Sequence, residues 1–497
     1  MEVGSMVLVV GAGPTGLALA CGLLSHGIPV RVVDRAAGPA VTSRANFVHA
    51  RGSEVLARLG ALGDLPTESL RAMKVTTYLG DRPLATVRFG DPTLRTAAAP
   101  MVVSQARVEA ALRDRLTALG GRIDWKAGLT GLDQDDTGVT VTLGTGESVR
   151  ADWVVGCDGT GSATREQAGI GFPGVRISER YLLADLHIDW DLDRDGTTGW
   201  VSPAGMVGAM PMPGPGEDLW RLLAYDPTSA QGRPTEQEIM DRFRRILPER
   251  TGHTDAHIRD VTWASVFTVH RRLADTYRQG RVLLAGDAAH VHAPFGGQGM
   301  LTGLGDAENL AWKLALVVRE HASESLLDTY QAERRPLAAQ VLRGTTAVTR
   351  VNIAANPVGR FVRDRVVAPL LNLAPVQRLA SYSASQLWVS YRTGPLGAGR
   401  LGHKPRPGDR VPDLACTHPD GRPTRLHTEL GGRFALLVPD DAPGWSPNQW
   451  GVTLRFTEGR PGEAWLVRPD AHLAWRGRDP ASLARWMTET LTTGPTR

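Results

Sequence analysis

The chain has 497 residues, of which 42% are hydrophobic and 22% charged, a composition typical of a globular protein with about two or three domains. Its formal net charge is only +4, and its arginines are interspersed with acidic residues, which argues against nucleic acid as a partner. Cys21, Cys157 and Cys416 are far apart in the sequence, so they indicate neither a disulfide framework nor a metal site and are typical of the reducing cytoplasm.

The first apolar segment, Met6–Leu24, is uncharged and superficially similar to a signal or anchor segment. It is interrupted by Gly11, Gly13 and Gly16, and the preceding residues carry Glu2 where a signal peptide has basic residues. We therefore expect a buried strand, a turn and a helix here, and no membrane as a partner.

This segment opens a predicted βαβ unit, in which the strands Met6–Val10 and Ile28–Val33 flank a helix that ends at Gly27. The turn after the first strand reads Gly-Ala-Gly-Pro-Thr-Gly, and Asp34 stands at the end of the second strand. Such a turn lets a pyrophosphate approach the backbone at a helix N-terminus, while the distal acid accepts the hydroxyl hydrogens of a ribose. The motif predicts dinucleotide binding, and by itself it does not distinguish FAD from NAD.

Two later segments, Val154–Cys157 and Arg281–Ala285, are apolar strands that also run into turns containing an aspartate. Their placement implies one sheet assembled from distant pieces of the chain. The Asp158-Gly159 turn is equally well explained as a simple turn. After Asp287 a helix is predicted to begin near Gln298–Met300, and its N-terminus would stabilise an anionic reduced flavin while Asp287 holds a ribityl hydroxyl. The alternative is a loop and an amphipathic helix with Asp287 as its N-cap.

The intervening sequence predicts an antiparallel layer, because Tyr181–Trp190 alternates polar and apolar residues and Met206–Met212 with Leu219–Tyr225 forms a predicted hairpin. Long helices and a Pro- and Gly-rich linker follow. We predict an α/β fold with three parts. Residues 1–174 and 276–395 form the dinucleotide-binding domain, residues 175–275 form the antiparallel layer, and residues 396–497 form a C-terminal α/β domain.

The glycine turn with Asp34-Arg35, the Asp158-Gly159 turn and the Gly286-Asp287 turn, in this order, resemble the class A flavoprotein aromatic hydroxylases of the para-hydroxybenzoate hydroxylase type. Residues 43–60, 294–300 and 326–336 are most similar to the hydroxylases of aromatic polyketide antibiotic pathways, and the resemblance covers essentially the whole chain. It implies a Rossmann-like FAD-binding domain, an antiparallel substrate-binding sheet and a thioredoxin-like C-terminal domain.

The same resemblance implies FAD as the cofactor and NADPH or NADH as a transient co-substrate. It assigns to the FAD site Gly11, Gly13, Pro14, Thr15, Gly16, Asp34, Arg35, Arg44, Gln105, Asp158, Gly286, Asp287, Pro294, Gly297, Gln298, Gly299, Met300 and Leu301. The chain departs from the family at Gly161, where many relatives carry a basic residue or Asn, and at Leu301, where Asn is common. Cys416 is alone in the C-terminal domain without a C-x-x-C motif, which argues against redox activity there.

The implied reaction hydroxylates an electron-rich, polycyclic aromatic molecule with NAD(P)H and O₂ through a flavin C4a-hydroperoxide. We expect the substrate to lie between the flavin and the antiparallel layer, against an apolar, polarizable wall. The candidates for this wall, each of which is also a credible core residue, are Trp200, Met206, Met210, Trp220 and Phe267. The catalytic base is unknown. The candidates are His270, His290, His292 and Tyr225, and residues of these kinds are more often structural or solvated.

Other functions stay open at this stage. Baeyer–Villiger oxygenation on the same scaffold is not separated by any residue, and neither is a resistance role from a biosynthetic one. A dehydrogenase linked to NAD would explain the first glycine motif but not the Gly286-Asp287 loop. A protein that only sequesters an aromatic antibiotic would bind it without turnover. The sequence is compatible with a monomer or a homodimer.

Overall fold

The computed structural model describes residues 6–41, 45–70, 74–214, 216–226, 234–292, 297–352, 357–398, 403–439, 445 and 451–491, with backbone alone at 176–179, 269, 345–352, 357, 360 and 363. The elements are labelled in chain order. The strands are β1 Val7–Val10, β2 Val30–Val33, β3 Phe47–Val48, β4 Lys74–Leu79, β5 Arg82–Arg88, β6 Met101–Val102, β7 Ile123–Asp124, β8 Leu129–Gln134, β9 Val139–Leu143, β10 Ser148–Ala151, β11 Trp153–Gly156, β12 Gly174–Asp189, β13 Thr197–Ser202, β14 Gly205–Pro211, β15 Leu219–Asp226, β16 His257–Leu273, β17 Arg278–Gln279, β18 Val282–Leu284, β19 His290–Val291, β20 Ala415–Thr417, β21 Pro423–Arg425, β22 Phe434–Val438, β23 Gly451–Arg455, β24 Ala464–Val467 and β25 Leu473–Gly477.

The α-helices are α1 Pro14–Ser25, α2 Ala50–Arg58, α3 Leu65–Glu68, α4 Gln105–Ala118, α5 Ala163–Gln167, α6 Glu236–Thr251, α7 Gln298–Val318, α8 Asp328–Asn352, α9 Pro357–Val362, α10 Ala368–Leu371, α11 Ala374–Ala384, α12 Leu426–Leu430 and α13 Pro480–Leu491. Within the described residues, no helix is both long and apolar enough to cross a membrane.

The dinucleotide-binding domain is organised around a six-stranded sheet in the order β17-β18-β11-β1-β2-β7. Strand β1 is completely buried and pairs in parallel with both β2 and β11, and β11 pairs in parallel with β18. The prediction that three distant strands belong to one sheet is therefore confirmed. Because parallel strands end at the same edge, their three glycine- or aspartate-containing turns are brought together.

The second sheet has eight strands in the order β19-β16-β12-β15-β14-β13-β4-β5. The predicted hairpin is confirmed by the antiparallel pairing of β14 with β15. The sheet extends beyond residues 175–275, because β4 and β5 come from the preceding part of the chain, and β13 pairs with β4 in parallel. The alternation of side chains indicates a strand but does not say which distant strand it joins, so this pairing was not foreseen.

One face of the eight-stranded sheet is covered by α6, and the other faces the dinucleotide-binding domain. Helix α6 begins with a capping box at Thr235 and Glu238, which satisfies backbone donors that the first turn leaves unpaired. Its apolar side packs against the sheet, and the core between them contains Ile239, Phe243, Leu182, Leu186 and Trp220. Strand periodicity assigns the alternate residues to the opposite face.

The C-terminal domain contains a six-stranded sheet in the order β21-β20-β23-β22-β24-β25. Strands β22 and β23 are parallel, and the remaining pairs are antiparallel. Buried ionic contacts join this domain to the rest of the protein: Arg468 forms a bidentate pair with Glu333 at 2.7 and 2.8 Å, and Arg410 contacts Glu54 at 2.5 Å. Such contacts require complementary partners on both surfaces, so they specify how the domain docks.

Candidate active site

A cavity of about 1380 Å³ lies between the turns at the edge of the parallel sheet and the inner face of the eight-stranded sheet. Residues of these turns and of the eight-stranded sheet line it, as do Ala380, Ser383 and Ala384 of helix α11. The cavity is too large for a single aromatic ring alone, since ligand pockets for drug-sized molecules commonly enclose about 300–1,000 Å³.

The glycines of the first turn differ in what surrounds them. A Cβ at Gly11, whose φ is +107°, would lie 2.4 Å from the carbonyl oxygen of Cys157, and a Cβ at Gly16 would lie 1.9 Å from that of Gly11. A Cβ at Gly13 would meet no atom within 4 Å. Gly11 and Gly16 are therefore required by packing, whereas Gly13 leaves open space beside the backbone. Gly13, Pro14 and Thr15 line the cavity.

Helix α1 begins directly behind this open space. Its N-cap is Gly13, no side chain caps its first turn, and that turn contains no acidic residue. The helix therefore directs unsatisfied N–H groups and the positive end of its dipole toward the cavity. This arrangement suits a pyrophosphate.

Asp34 lies at the end of β2, where the sequence places it, and it is half-buried. Its two carboxylate oxygens accept hydrogen bonds from the backbone N–H groups of Ala12 and Ala36, each at 2.7 Å. The carboxylate thus holds the glycine turn against the strand end. Arg35 beside it is exposed, and neither residue lines the cavity.

Helix α7 provides a second uncapped N-terminus at the same cavity. It begins at Gln298, as predicted, after Gly297 with φ +63°, and it has neither a side-chain cap nor an acidic residue in its first turn. Gly297, Gln298, Gly299 and Met300 line the cavity. Leu301 is buried instead and packs near Gly52, so only its backbone could face a ligand.

The Gly286-Asp287 turn follows β18 and places the exposed side chain of Asp287 at the cavity. Gly286 has φ +62°, and a Cβ there would lie 2.6 Å from Oγ1 of Thr15, so this turn packs tightly against the start of α1. The N–H of Gly286 donates to Oδ2 of Asp306 at 3.1 Å. Asp306 was not foreseen, because an aspartate inside a helical pattern gives no sign that it is buried.

Asp306 is completely buried and accepts two further hydrogen bonds, from Nε2 of His290 and from Nε of Arg334, each at 2.6 Å. Burial would raise the pKa of Asp306, but the nearby positive charges of Arg334 and His290 outweigh burial and lower this pKa. His290, a candidate catalytic base, is 1% exposed and does not line the cavity. His290 is therefore reassigned from candidate base to structural residue.

The side chain of Asp158 is engaged at the start of α5. Its Oδ1 accepts from Oγ of Ser162 at 2.5 Å, and its Oδ2 accepts from the N–H of Thr164 at 3.0 Å. The neighbouring Gly159 and Thr160 line the cavity, whereas Asp158 does not. This placement gives the carboxylate the role of fixing the turn.

Gln105 is the first residue of α4 and lines the cavity. Its Nε2 donates to Oε1 of Glu109 at 2.8 Å, and burial raises the pKa of Glu109. The remaining candidates for the cofactor site, Arg44 and Pro294, lie outside the described residues.

Three of the five candidate wall residues face the cavity from the sheet, namely Met206, Met210 and Phe267. Trp220 does not, because it is 1% exposed and lies in the core under α6. Its assignment to the wall is wrong, because Arg221 and Leu223, on the opposite face of the same strand, line the cavity instead. Trp200 borders the cavity, but its ring packs in the same core, 6.2 Å from Trp190 between ring centroids.

A row of paired residues crosses four strands on the cavity side. Met210 pairs with Arg221, Arg221 with Asp185, and Asp185 with Trp263. Arg221 is buried and makes two hydrogen bonds of 2.7 Å to the carboxylate of Asp185. Sequence reasoning did not identify this ion pair, although an arginine inside the apolar segment Leu219–Tyr225 is a usable signal that a partner lies opposite.

Next to this row, Gly199 of β13 pairs with Gly208 of β14. The nearest atom to a Cβ at either position is a carbonyl oxygen, at 3.8 Å for Gly199 and 3.9 Å for Gly208. Both glycines line the cavity, so this part of the wall is flat backbone without side chains. Of the remaining candidate bases, His270 and His292 line the cavity, whereas Tyr225 packs against Tyr181 in the sheet.

These features fit FAD. Two uncapped helix N-termini, the space beside Gly13 and a carboxylate at Asp287 border one cavity, and the opposite wall is a largely apolar sheet. Donors of this kind complement a pyrophosphate and the electron-rich edge of a flavin. The fold and the site define a flavoprotein that holds an organic substrate against its cofactor.

Comparison with known proteins agrees. The family model described as FAD binding domain matches residues 5–345, and that described as aromatic-ring hydroxylase, C-terminal, matches residues 404–493. This chain therefore belongs to the FAD-dependent aromatic-ring hydroxylase family of flavoprotein monooxygenases. It is 35% identical to 6-methylpretetramide 4-monooxygenase of Streptomyces rimosus, over 96% of this chain and 91% of the relative.

Two further relatives cover nearly the whole chain. Rifampicin monooxygenase of Streptomyces venezuelae is 36% identical, over 96% of both chains. The crystal structure of aklavinone-11 hydroxylase in a ternary complex with FAD and aklavinone superimposes with a TM-score of 0.80 and 25% identity, covering 99% of this chain and 100% of that one. The expected class, a monooxygenase that depends on FAD, is confirmed.

Proposed function

We propose that this enzyme hydroxylates a planar, polycyclic aromatic molecule of the polyketide type, with NADPH or NADH and O₂ as co-substrates. The observation that carries this proposal is the single cavity of about 1380 Å³, with flavin-compatible donors on one side and a flat apolar sheet on the other. The three relatives named above act on 6-methylpretetramide, rifampicin and aklavinone by their names, which supports a large substrate over a single ring.

In this proposal, the N-terminus of α1 and the backbone at Gly13 bind the FAD pyrophosphate, with Arg44 and Gln105 contributing polar contacts. Asp34 accepts the ribose hydroxyls, since each of its oxygens has accepted only one backbone N–H and retains a further lone pair. Asp287 accepts a ribityl hydroxyl. The N-terminus of α7, with Pro294 before it, lies against the flavin ring. Bound FAD supplies the transfer of electrons from NAD(P)H and the activation of O₂.

The protein's own contribution is to position the substrate and keep water away from the reaction. Met206, Met210 and Phe267 give an apolar surface, and the paired glycines Gly199 and Gly208 give it a flat section that a ring system can approach closely. Arg221 also lies on this wall, and the carboxylate of Asp185 neutralises its charge. Trp200 and Trp220 support the wall from behind.

We assign the C-terminal domain a packing role on a thioredoxin-like fold. Burial raises the pKa of Cys416 to about 12, so the thiol is not reactive at neutral pH, and the buried ion pair between Arg468 and Glu333 fastens the domain to α8. The enzyme is proposed to act in the cytoplasm as a monomer or homodimer.

The test begins with the absorbance spectrum of purified protein, followed by NADPH and NADH oxidation with and without anhydrotetracycline, rifampicin and alizarin. We expect flavin bands, slow basal oxidation that an aromatic accelerates, and a product about 16 mass units heavier whose new oxygen is a ring hydroxyl. Insertion of oxygen beside a ketone would support Baeyer–Villiger chemistry instead. Aromatic binding without accelerated flavin reduction would support sequestration, and protein that stays colourless after reconstitution with FAD would overturn the proposal.

A further inference from the structure

Gln386 combines two unusual features in the segment that follows helix α11. It has φ +52°, in the left-handed region that favours glycine, and its side chain is 1% exposed. A long polar side chain that is both buried and attached to a strained backbone is maintained only where its contacts compensate. Those contacts are therefore informative.

The side-chain amide of Gln386 reaches the first turn of α7. Its Nε2 donates to Oγ1 of Thr302 at 2.8 Å and lies 3.3 Å from Oε1 of Gln298, the first residue of the helix. Thr302 in turn donates to the backbone carbonyl of Gln298 at 2.8 Å. One amide from another segment thus fixes both the side chain and the first turn of the helix that begins at the cavity.

This first turn is also connected to the Gly286-Asp287 turn. Arg334 donates from Nη2 to the carbonyl oxygen of Thr302 at 2.8 Å and from Nε to Asp306, which accepts from the N–H of Gly286. Gln386 therefore begins a continuous network of hydrogen bonds that reaches the first turn of α7 and the Gly286-Asp287 turn, the two elements assigned above to the flavin.

On its N-terminal side, Gln386 follows closely after a helix that lines the cavity. Ala380, Ser383 and Ala384 of α11 line the cavity, and Gln386 is two residues beyond the end of this helix. A displacement of α11 by a bound substrate would therefore be transmitted through a short, buried connection to the start of α7.

We propose that Gln386 is a positioning residue that holds the N-terminus of α7 at the flavin and couples it to substrate occupancy under α11. This inference rests on the proposed placement of the flavin ring at α7. It adds that hydrogen bonds from the segment after α11 control how tightly electron transfer is coupled to oxygen transfer.

The decisive variant is Gln386→Gly, because glycine suits φ +52° and removes only the side chain. We expect folded holoenzyme with an altered flavin absorption spectrum and a shifted flavin midpoint potential. The fraction of NAD(P)H converted to H₂O₂ in the presence of the aromatic substrate should rise roughly five-fold. A five-fold change is the size expected when one ordinary hydrogen bond that positions α7 is lost.

The matched control is Glu320→Gly, at the other end of the same helix. Glu320 has φ +57°, is exposed and follows the C-terminus of α7, so glycine relieves the same backbone strain far from the cavity. We expect its spectrum, potential and H₂O₂ yield to equal those of the parent enzyme. Thr302→Val, which removes the acceptor of Gln386 with little change in shape, provides a second variant and should increase H₂O₂ in the same direction.

The outcomes separate this inference from the proposed function. If the parent enzyme oxidises NAD(P)H in response to an aromatic but Gln386→Gly behaves like Glu320→Gly in spectrum, potential and H₂O₂ yield, the positioning role is overturned while the function stands. If the parent enzyme shows no aromatic-dependent oxidation, the proposed function fails, and a changed flavin spectrum in Gln386→Gly alone would still support contact between α7 and the flavin.

Discussion

Arg334 donates from Nε to Oδ1 of Asp306 at 2.6 Å, and neither side chain is more than 1% exposed. The pair connects α8 to α7, and through the N–H of Gly286 it also holds the turn that carries Asp287. Since a buried carboxylate is tolerated only with charged and hydrogen-bonding partners, Asp306 keeps this turn in one position. The geometry of the cofactor site thus depends on residues that touch no ligand.

Replacing Arg334 with Met should therefore destabilise the protein strongly. The variant leaves the carboxylate of Asp306 buried without its arginine, with hydrogen bonds from His290 and the N–H of Gly286 remaining, which we expect to lower the free energy of unfolding by about 3–5 kcal/mol. Urea unfolding followed by circular dichroism measures this. Arg343→Met, at an exposed position on the same helix, should cost about 0.5 kcal/mol or less. Equal costs for the two variants would contradict the role assigned to the buried pair.

Asp287→Ala should weaken FAD binding. The change removes the carboxylate that we assign to a ribityl hydroxyl, and the loss of such a charge-assisted hydrogen bond should raise the Kd roughly ten-fold. Flavin occupancy of the purified protein and titration of the apoprotein with FAD give the result. Asp420→Ala, at an exposed position in the C-terminal domain, is the control and should retain full occupancy. Unchanged occupancy in Asp287→Ala would refute the assignment.

Gly208→Val tests whether the flat part of the sheet accepts ring systems. The added side chain would meet no atom closer than 3.9 Å at its Cβ, and valine is favourable in a strand, so the fold should be retained. Its methyl groups would occupy the space above Gly199, and we expect the KM for a tetracyclic substrate such as anhydrotetracycline to rise roughly ten-fold, from steric overlap.

A single-ring phenol such as resorcinol should be affected less in the same variant, because it needs less of the flat surface. Gly131→Val, in a strand that does not line the cavity, controls for a general effect of the substitution. Steady-state NAD(P)H oxidation measures all three proteins. An unchanged preference for the tetracyclic compound in Gly208→Val would place its rings elsewhere.

Glu333 should make the protein sensitive to acid. Burial would raise its pKa, but the charges of Arg468 and Lys313 outweigh burial and bring the pKa down from 4.5 to about 2. Between these values the unfolded chain binds a proton that the folded protein does not, so this contribution to stability is complete above about pH 4.5 and is lost as the pH falls toward 2.

We therefore expect Glu333→Gln to be less stable than the parent at pH 7 but to lose stability less steeply on acidification, by up to about one proton in the slope. Unfolding free energies in urea at pH 7, 4.5 and 3 provide the comparison. Glu249→Gln, at an exposed position in α6, should follow the parent at each pH. Identical slopes for Glu333→Gln and the parent would show that the carboxylate is not the group responsible.

Much of the cofactor side could be predicted from the sequence, because its elements depend on local geometry. The turn from Gly11 to Gly16 and the start of α7 at Gln298 were expected at the positions where they occur. Their glycines are dictated by backbone conformation and close approach, which a short stretch of sequence expresses directly. The two strands that carry the aspartate turns were recognisable for the same reason.

The substrate side could be predicted only in outline. Leu219–Tyr225 was predicted as a strand of a hairpin, but which of its faces meets the cavity was decided by pairing with β12 and β14, so Trp220 was assigned to the wrong side. The addition of β4 and β5 to the eight-stranded sheet likewise depended on the pairing of β4 with β13, which lies more than a hundred residues away in the chain. Strand periodicity carries no information about such partners.

The sequence by itself predicted that this chain folds around a dinucleotide-binding βαβ unit and that three strands followed by glycine- or aspartate-containing turns belong to one sheet, because local sterics and hydrogen bonding fix those features. Only the tertiary structure decided that Asp306 and Arg334 brace the Asp287 turn, that Arg221 lines the cavity paired with Asp185, and that Gln386 reaches the first turn of α7. These contacts join residues far apart in the chain, and their energies exist only once burial has removed the competing water.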